Sequence, residues 1–193
     1  MSPEPVAEWR WPPTDSYTAD DLDRIPGLPP HSELIDRLLV VVSPQKDAHS
    51  VLVDVLLQGL RASAPRDEFR VRRGMSVVLG PRNRPEPDLI VLRADAVDAR
   101  SRTFYPADAV VLAVEVVSPE SEECDRKWKP QLYAQAGIPF FWRVEDPDGD
   151  PVVYAYERDP ASGTYGLLGI FHERITLVAP FKIDIDLTGI DQL

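Results

Sequence analysis

Two stretches constrain the fold of this sequence more than any others, because each embeds a carboxylate in an apolar run. In 84–92 (RPEPDLIVL), Asp88 directly precedes Leu-Ile-Val-Leu; in 110–117, Glu115 interrupts Val-Val-Leu-Ala-Val-Glu-Val-Val. Continuous apolar runs of this length read as central strands covered on both faces. Glu is almost never fully buried unless paired, so Glu115 calls for a partner or a cation. Asp88 follows Pro87 and can also be read as a turn residue that opens a strand.

Around these runs the pattern is that of one α/β domain built on a mixed sheet. Residues 1–16 hold two tryptophans and four prolines without periodicity and read as a flexible N-terminal arm; the domain is expected over 17–193. Thr18 before Ala-Asp-Asp-Leu is an N-cap signal for a short helix to about Arg24. Residues 32–43 read as a hairpin or a bent strand pair. Residues 46–62 form the clearest amphipathic helix, with Val51/Val55 and Leu52/Leu56/Leu60 at four-residue spacing. The alternation in 68–80 predicts one long strand. A helix is expected over 122–137, ended by Gly137, and a strand over 140–145. Residues 152–159 and 164–171 should pair as a hairpin, and 175–187 should supply a last strand.

The 193 residues suit a single core. No apolar stretch reaches the length of a membrane helix and the N-terminus lacks a signal pattern, so a cytoplasmic protein is expected. One cysteine, Cys124, excludes an internal disulfide and a multi-cysteine zinc site, and its acidic neighbours argue against a nucleophilic thiol. The net charge of −11 is adverse for a nucleic-acid partner, but it is unevenly spread. Residues 61–102 carry ten arginines against six acids, while both flanks are acidic. That stripe reads either as a track for a phosphate backbone or as solvated arginines paired with nearby acids. Trp128 and Trp142 could stack on bases, but such residues more often fill a core.

If the strands carrying Asp88 and Glu115 are neighbours, both carboxylates meet at one point. Mg²⁺ and Mn²⁺ favour such oxygen ligands and are often held by one or two carboxylates plus water. Asp125 and Lys129 are spaced i, i+4, on one face of the following helix. Pro130 fits the first turn of that helix, which would put Lys129 near its N-terminus.

These residues carry a resemblance. Pro87-Asp88 followed by Glu115-Val116-Val117 resembles the PD-(D/E)xK nuclease superfamily. More closely, ELID…LVVVSP…H, then PEPDLIVL, then VEVVSPES…D…K…Y…GIP, resembles the Uma-type family of restriction endonucleases, from about Tyr17 to Glu145. The resemblance implies a restriction-endonuclease-like mixed central sheet flanked by helices, and a Mg²⁺- or Mn²⁺-dependent DNA endonuclease. Asp88 and Glu115 would bind metal. Val117 stands where the superfamily has lysine, so the resemblance moves that role to Lys129. Glu33 matches a recurring family acid and would be an auxiliary ligand, direct or through water. Tyr133 matches an aromatic position, and His49 a position near the start of the long helix, where a capping or packing role competes with a catalytic one. Ser32 and Arg37 depart from the family, which commonly has an aromatic and a glycine there. Cutting both strands of DNA needs two sites, so a homodimer is expected. The competing reading is an inactive nucleic-acid- or protein-binding module on the same fold, which the acidic charge favours and the Asp88, Glu115 and Lys129 set disfavours.

Overall fold

The computed structural model describes residues 16–41, 44–99, 101–147, 149–188 and 190. The expected N-terminal arm lies outside them except for Ser16. A 3₁₀ turn, Ala19–Asp23, opens the described chain. Thr18 and Asp21 close it: the Thr18 backbone N–H and hydroxyl both donate to Asp21 Oδ2 at 2.7 Å, and the Asp21 N–H donates back to the Thr18 carbonyl at 3.0 Å. The strands β1 (Ser32–Ile35) and β2 (Leu38–Val41) form an antiparallel hairpin. Its two-residue turn, Asp36-Arg37, has φ of 44° and 69°, which explains why glycine is common at the second position. Here Asn83 Oδ1 and the Arg82 carbonyl accept the two turn N–H groups at 2.7 and 2.9 Å and hold the strained backbone.

The helix α1 (Asp47–Ser63) leads into β3 (Phe69–Arg73) and β4 (Ser76–Val78). The single strand expected over 68–80 is thus two strands in different sheets. Gly74, at φ 54°, makes the break, and its N–H turns to the Asp88 carbonyl at 3.0 Å. Next come β5 (Leu89–Arg93), the short β6 (Phe104–Pro106), which the sequence pattern did not reveal, and β7 (Val110–Val116). The crossover helix then delivers the chain to β8 (Phe140–Glu145), β9 (Val152–Arg158) and β10 (Tyr165–Phe171). The last expected strand is a hairpin of β11 (Arg174–Leu177) and β12 (Ile183–Asp186), separated by Pro180, which cannot join a ladder.

The central sheet has the order β10-β9-β8-β7-β5-β3. Every neighbouring pair is antiparallel except β7 and β8, the pair that the crossover helix connects. Alternation, broken by an irregularity in the β5–β7 register next to Leu92, sorts its side chains. Leu89, Val91, Leu112 and Val114 face one cluster with Leu52, Leu56 and Leu60 of α1 and Ile183 and Ile185 of β12. Ile90, Leu92 and Ala113 face the other, with Val77, Tyr105 and Tyr133. Both faces are covered, as the unbroken apolar runs required. No helix is long and apolar enough to cross a membrane among the described residues.

Of the two tryptophans expected in the core, Trp142 is buried and Trp128 is not, with 57% of its surface exposed. The helix around it explains this. Its first segment, Cys124–Trp128, is π-helical, with Lys129 N–H bonded to the Cys124 carbonyl, before α2 (Lys129–Gln135) continues it. The wide turn admits Pro130, which has no N–H and would crowd a regular helix, and it rotates Trp128 outward. Lys129 consequently lies inside a continuous helical run from 122 to 135, not at its N-terminus.

Helix α1 sits close on β12. A Cβ on Gly59 would come within 2.6–2.8 Å of Cγ1, Cγ2 and Cδ1 of Ile185, which is buried and cannot move aside. Gly59→Ala should therefore lower stability by about 1–2 kcal/mol despite the better helix propensity of alanine. Urea denaturation measures this, and Ile185→Ala in the same chain should remove the part due to the clash.

Candidate active site

Strand pairing brings the two carboxylates together. Leu89 pairs with Val114 in antiparallel register, which sets Asp88 across from Glu115 on the face shared by Ile90 and Ala113. The Val116 backbone N–H donates to Asp88 Oδ2 at 2.7 Å and fixes the side chain against β7. Asp88 Oδ1 faces His49 Nε2 at 3.3 Å, so the first turn of α1 reaches the site from the other layer. Asp88 is partly open to solvent at 24%, whereas Glu115 is 3% exposed.

Lys129 is the centre of the site. Its ammonium, itself buried, lies 3.0 Å from Glu33 Oε1, 3.1 Å from Asp125 Oδ1 and 3.2 Å from Glu115 Oε1. Each carboxylate has its own support. Glu33 is carried by β1, whose Leu34 exchanges two backbone hydrogen bonds with Arg84, and Glu33 Oε1 also accepts the Glu86 N–H at 2.7 Å. Glu115 Oε1 accepts the Tyr133 hydroxyl at 2.5 Å. Asp125 is 2% exposed and sits one wide turn before Lys129.

The charges do not balance. Burial pushes the Glu115 carboxyl well above its ordinary range, and Asp125, Asp88 and Glu33 push the same way against Lys129. Burial likewise raises Glu33, with Lys129 opposing. Burial acts against the charged form of Lys129, but Glu115, Glu33 and Asp125 outweigh it, so its pKa rises well above that of a free lysine and it remains a cation. Burial and the neighbouring carboxylates raise Tyr133, which stays a neutral donor. For His49, burial favours the neutral ring, but the Asp88 hydrogen bond and charge prevail and raise its pKa.

A cavity of about 220 Å³ opens onto this cluster and is lined by Glu33, His49, Asp88, Glu115, Asp125 and Lys129, among others. Among the described residues, no group of three or more His, Cys, Asp and Glu has the geometry to hold a metal by itself. Two carboxylates with water completing the shell is nevertheless a usual arrangement for Mg²⁺, and the donor set here is all hard oxygen. Asp88 and Glu115 fit that role. All four residues named from the sequence, Glu33, Asp88, Glu115 and Lys129, line the cavity together. Asp125 was visible only as the i, i+4 neighbour of Lys129; its burial, which makes it a third partner of the ammonium, has no signal in its acidic local sequence.

The sequence matches the profile of the Uma2 family, "putative restriction endonuclease", over residues 19–188. The chain belongs to the Uma2 family. No curated protein matches it. Among solved structures it is similar to a putative nuclease belonging to DUF820 from Anabaena variabilis ATCC 29413, with a TM-score of 0.65 and 14% identity, covering 84% of this chain and 89% of that one. At that identity the likeness speaks for the fold: a single α/β domain with a mixed central sheet, restriction-endonuclease-like.

The electrostatics of this Uma2 site has two measurable consequences. Lys129→Met leaves three buried carboxylates without their cation and should cost about 3–5 kcal/mol in a urea titration with chelator present. Cys124, which lines the same cavity, has its thiol pushed up to about 11, mainly by burial, with Asp125, Glu33 and Glu115 adding to it against Lys129. At about pH 8 only about one thiol in a thousand is ionised, so iodoacetamide should alkylate the native protein far more slowly than the urea-unfolded chain, and the native rate should climb up to about pH 11.

Proposed function

We propose that this chain is a divalent-metal-dependent endonuclease that hydrolyses phosphodiester bonds in DNA, with Mg²⁺ or Mn²⁺ held by Asp88 and Glu115 and with Glu33 as an auxiliary ligand. The observation that carries this reading is the meeting of Asp88 and Glu115 across adjacent strands, beside a buried, protonated Lys129. The bound ion would lower the pKa of a water molecule and offset charge on the phosphoryl group.

The residues of this chain supply the rest. Lys129 provides a fixed positive charge for the attacking water or for the charge that develops on the phosphate oxygens, in a site with little water to screen it. Glu33 and Asp125 hold that ammonium in place, and Tyr133 orients Glu115. His49 and the Val116 N–H fix the rotamer of Asp88. Cutting both strands of a duplex needs two such sites, so the active form in this reading is a homodimer.

A nicking assay on supercoiled plasmid tests the proposal. The parent protein should nick with Mg²⁺ or Mn²⁺ and not with EDTA, and Asp88→Ala should lose the activity. Glu115→Gln keeps the shape and can still accept from Tyr133. It should fold with unchanged or slightly higher stability and yet cut at least about a hundredfold more slowly, the scale of losing one such electrostatic group. Cleavage by Glu115→Gln at the parent rate would remove Glu115 from the mechanism.

A further inference from the structure

The arginine stripe at 61–102 divides into two groups. Five of its arginines are bound to carboxylates: Arg73 to Asp54, Arg82 to Asp36, Arg84 to Asp23, Arg93 to Asp95 and Arg102 to Asp98. Arg100 lies outside the described residues. The remaining four, Arg61, Arg66, Arg70 and Arg72, are in ion-pair contact with no carboxylate among the described residues, and all four line one depression of about 390 Å³. Its other lining residues are Ala64, Phe69 and Val71, so it contains no acid. Asp67 and Glu68 are exposed on the same connection but do not line it. In a chain of net charge −11, four uncompensated guanidinium groups around one cavity form a local positive field.

The depression has a defined place relative to the active site. Strand β3 is an open edge of the sheet. Arg72 pairs with Ile90 and Arg70 with Leu92, so both start from the face that carries Asp88 and Glu115, while Ala64, Phe69 and Val71 belong to the α1 face; the depression therefore wraps the β3 edge. From Gly74, whose N–H is bonded to the Asp88 carbonyl, it is about 7 Å along the strand to Arg72 and about 13 Å to Arg70. Arg61 approaches from the last turn of α1 and Arg66 from the connection to β3. Arg72 Nη1 donates to the Val71 carbonyl at 3.0 Å and Arg70 Nη1 to the Phe69 carbonyl at 2.8 Å. Those bonds cap carbonyls of the edge strand and orient the guanidinium groups, but they leave the positive charge intact and other N–H donors free.

We infer that this depression is a phosphate-binding surface that anchors the backbone of duplex DNA beside the cleft. The spacing corresponds to roughly two to four nucleotides of duplex rise from the bond that reaches Asp88. Guanidinium groups fit phosphate oxygens in bidentate fashion, and neutralising one phosphate per arginine gives sequence-independent affinity. The kind of anion rests on the nuclease reading, but the surface is separate from the catalytic residues.

The test measures binding of the full chain to a fluorescent DNA duplex over a range of salt concentrations, with EDTA present so that nothing is cut. Replacing Arg61, Arg66, Arg70 and Arg72 with glutamine should weaken binding at least about tenfold at low salt. It should also flatten the slope of log affinity against log salt by about 0.9 for each phosphate that is no longer neutralised. Replacing the carboxylate-paired Arg102 and Arg174 should leave the slope unchanged. A fourfold variant with a parent-like circular dichroism spectrum and the parent slope would overturn the inference. So would a parent protein that binds heparin but not the duplex. Asp88→Ala serves as the separate arm: it should bind like the parent while losing nicking. A parent protein that shows the arginine effect on binding but does not nick with Mg²⁺ or Mn²⁺ identifies a failure of the nuclease reading, and a parent that nicks while the fourfold variant keeps the parent slope identifies a failure of this one.

Discussion

The ammonium of Lys129, buried among three carboxylates, is the contact on which the arrangement of this molecule turns. Glu33 comes from the β1–β2 hairpin, Glu115 from the central strand β7, and Asp125 from the helix that carries Lys129 itself. Three pieces of chain that are remote in sequence are thus tied at one charge. Removing Lys129 leaves its buried carboxylates without a cation, which is far worse than losing an exposed ion pair. The same contact keeps the site from collapsing. Carboxylates this close would otherwise repel one another or take up protons; burial first, and the neighbouring carboxylates after it, already raise the Glu115 and Glu33 pKa values against Lys129.

The position of Lys129 depends on a local irregularity. Position 117, where a strand lysine would reach the cleft directly, is a valine, so the cation must arrive from the helix. A regular α-helix would set Pro130 against the carbonyl four residues earlier; the π-helical turn over Cys124–Trp128 relieves that clash and keeps Asp125 and Lys129 facing the sheet together. Trp128 is exposed as a consequence of the same turn.

The sequence made some of this legible and hid the rest for identifiable reasons. Asp88 and Glu115 stood out because a carboxylate in an apolar strand is improbable without a purpose, and the register that joins them follows once β5 and β7 are neighbours. The hairpin at 32–41, α1 and the β9–β10 hairpin were readable from period and turn residues. The split at Gly74 and the β11–β12 hairpin were not, because alternation continues across both breaks and only tertiary pairing shows that the chain changes sheets. Lys129 and Glu33 could be named only by resemblance, since nothing in a local window says that an i, i+4 Asp-Lys pair is buried rather than solvated. The fate of the arginine stripe was open for the same reason: five arginines find carboxylates across gaps of up to 61 residues, as Arg84 does with Asp23, and no composition count can see such pairs.

Electrostatics then reconciles an acidic protein with the phosphate-bearing partner proposed for it. In the cleft, Asp88, Glu115, Glu33 and Asp125 stand against the cations Lys129 and, when protonated, His49, so these side chains by themselves repel a phosphodiester and attract a divalent cation. A positive surface within the cleft would undo that selection by pairing with the carboxylates. In the proposed reading, four arginines without a carboxylate partner among the described residues avoid the conflict: Arg70 and Arg72 lie on the β3 edge about 7–13 Å of strand from Gly74, and Arg61 of α1 and Arg66 of the connection to β3 line the same depression, outside the cleft and yet beside it. In that reading, setting the attractive charge apart from the metal-binding carboxylates lets a chain of net −11 present a local field of the opposite sign without neutralising the proposed cation site.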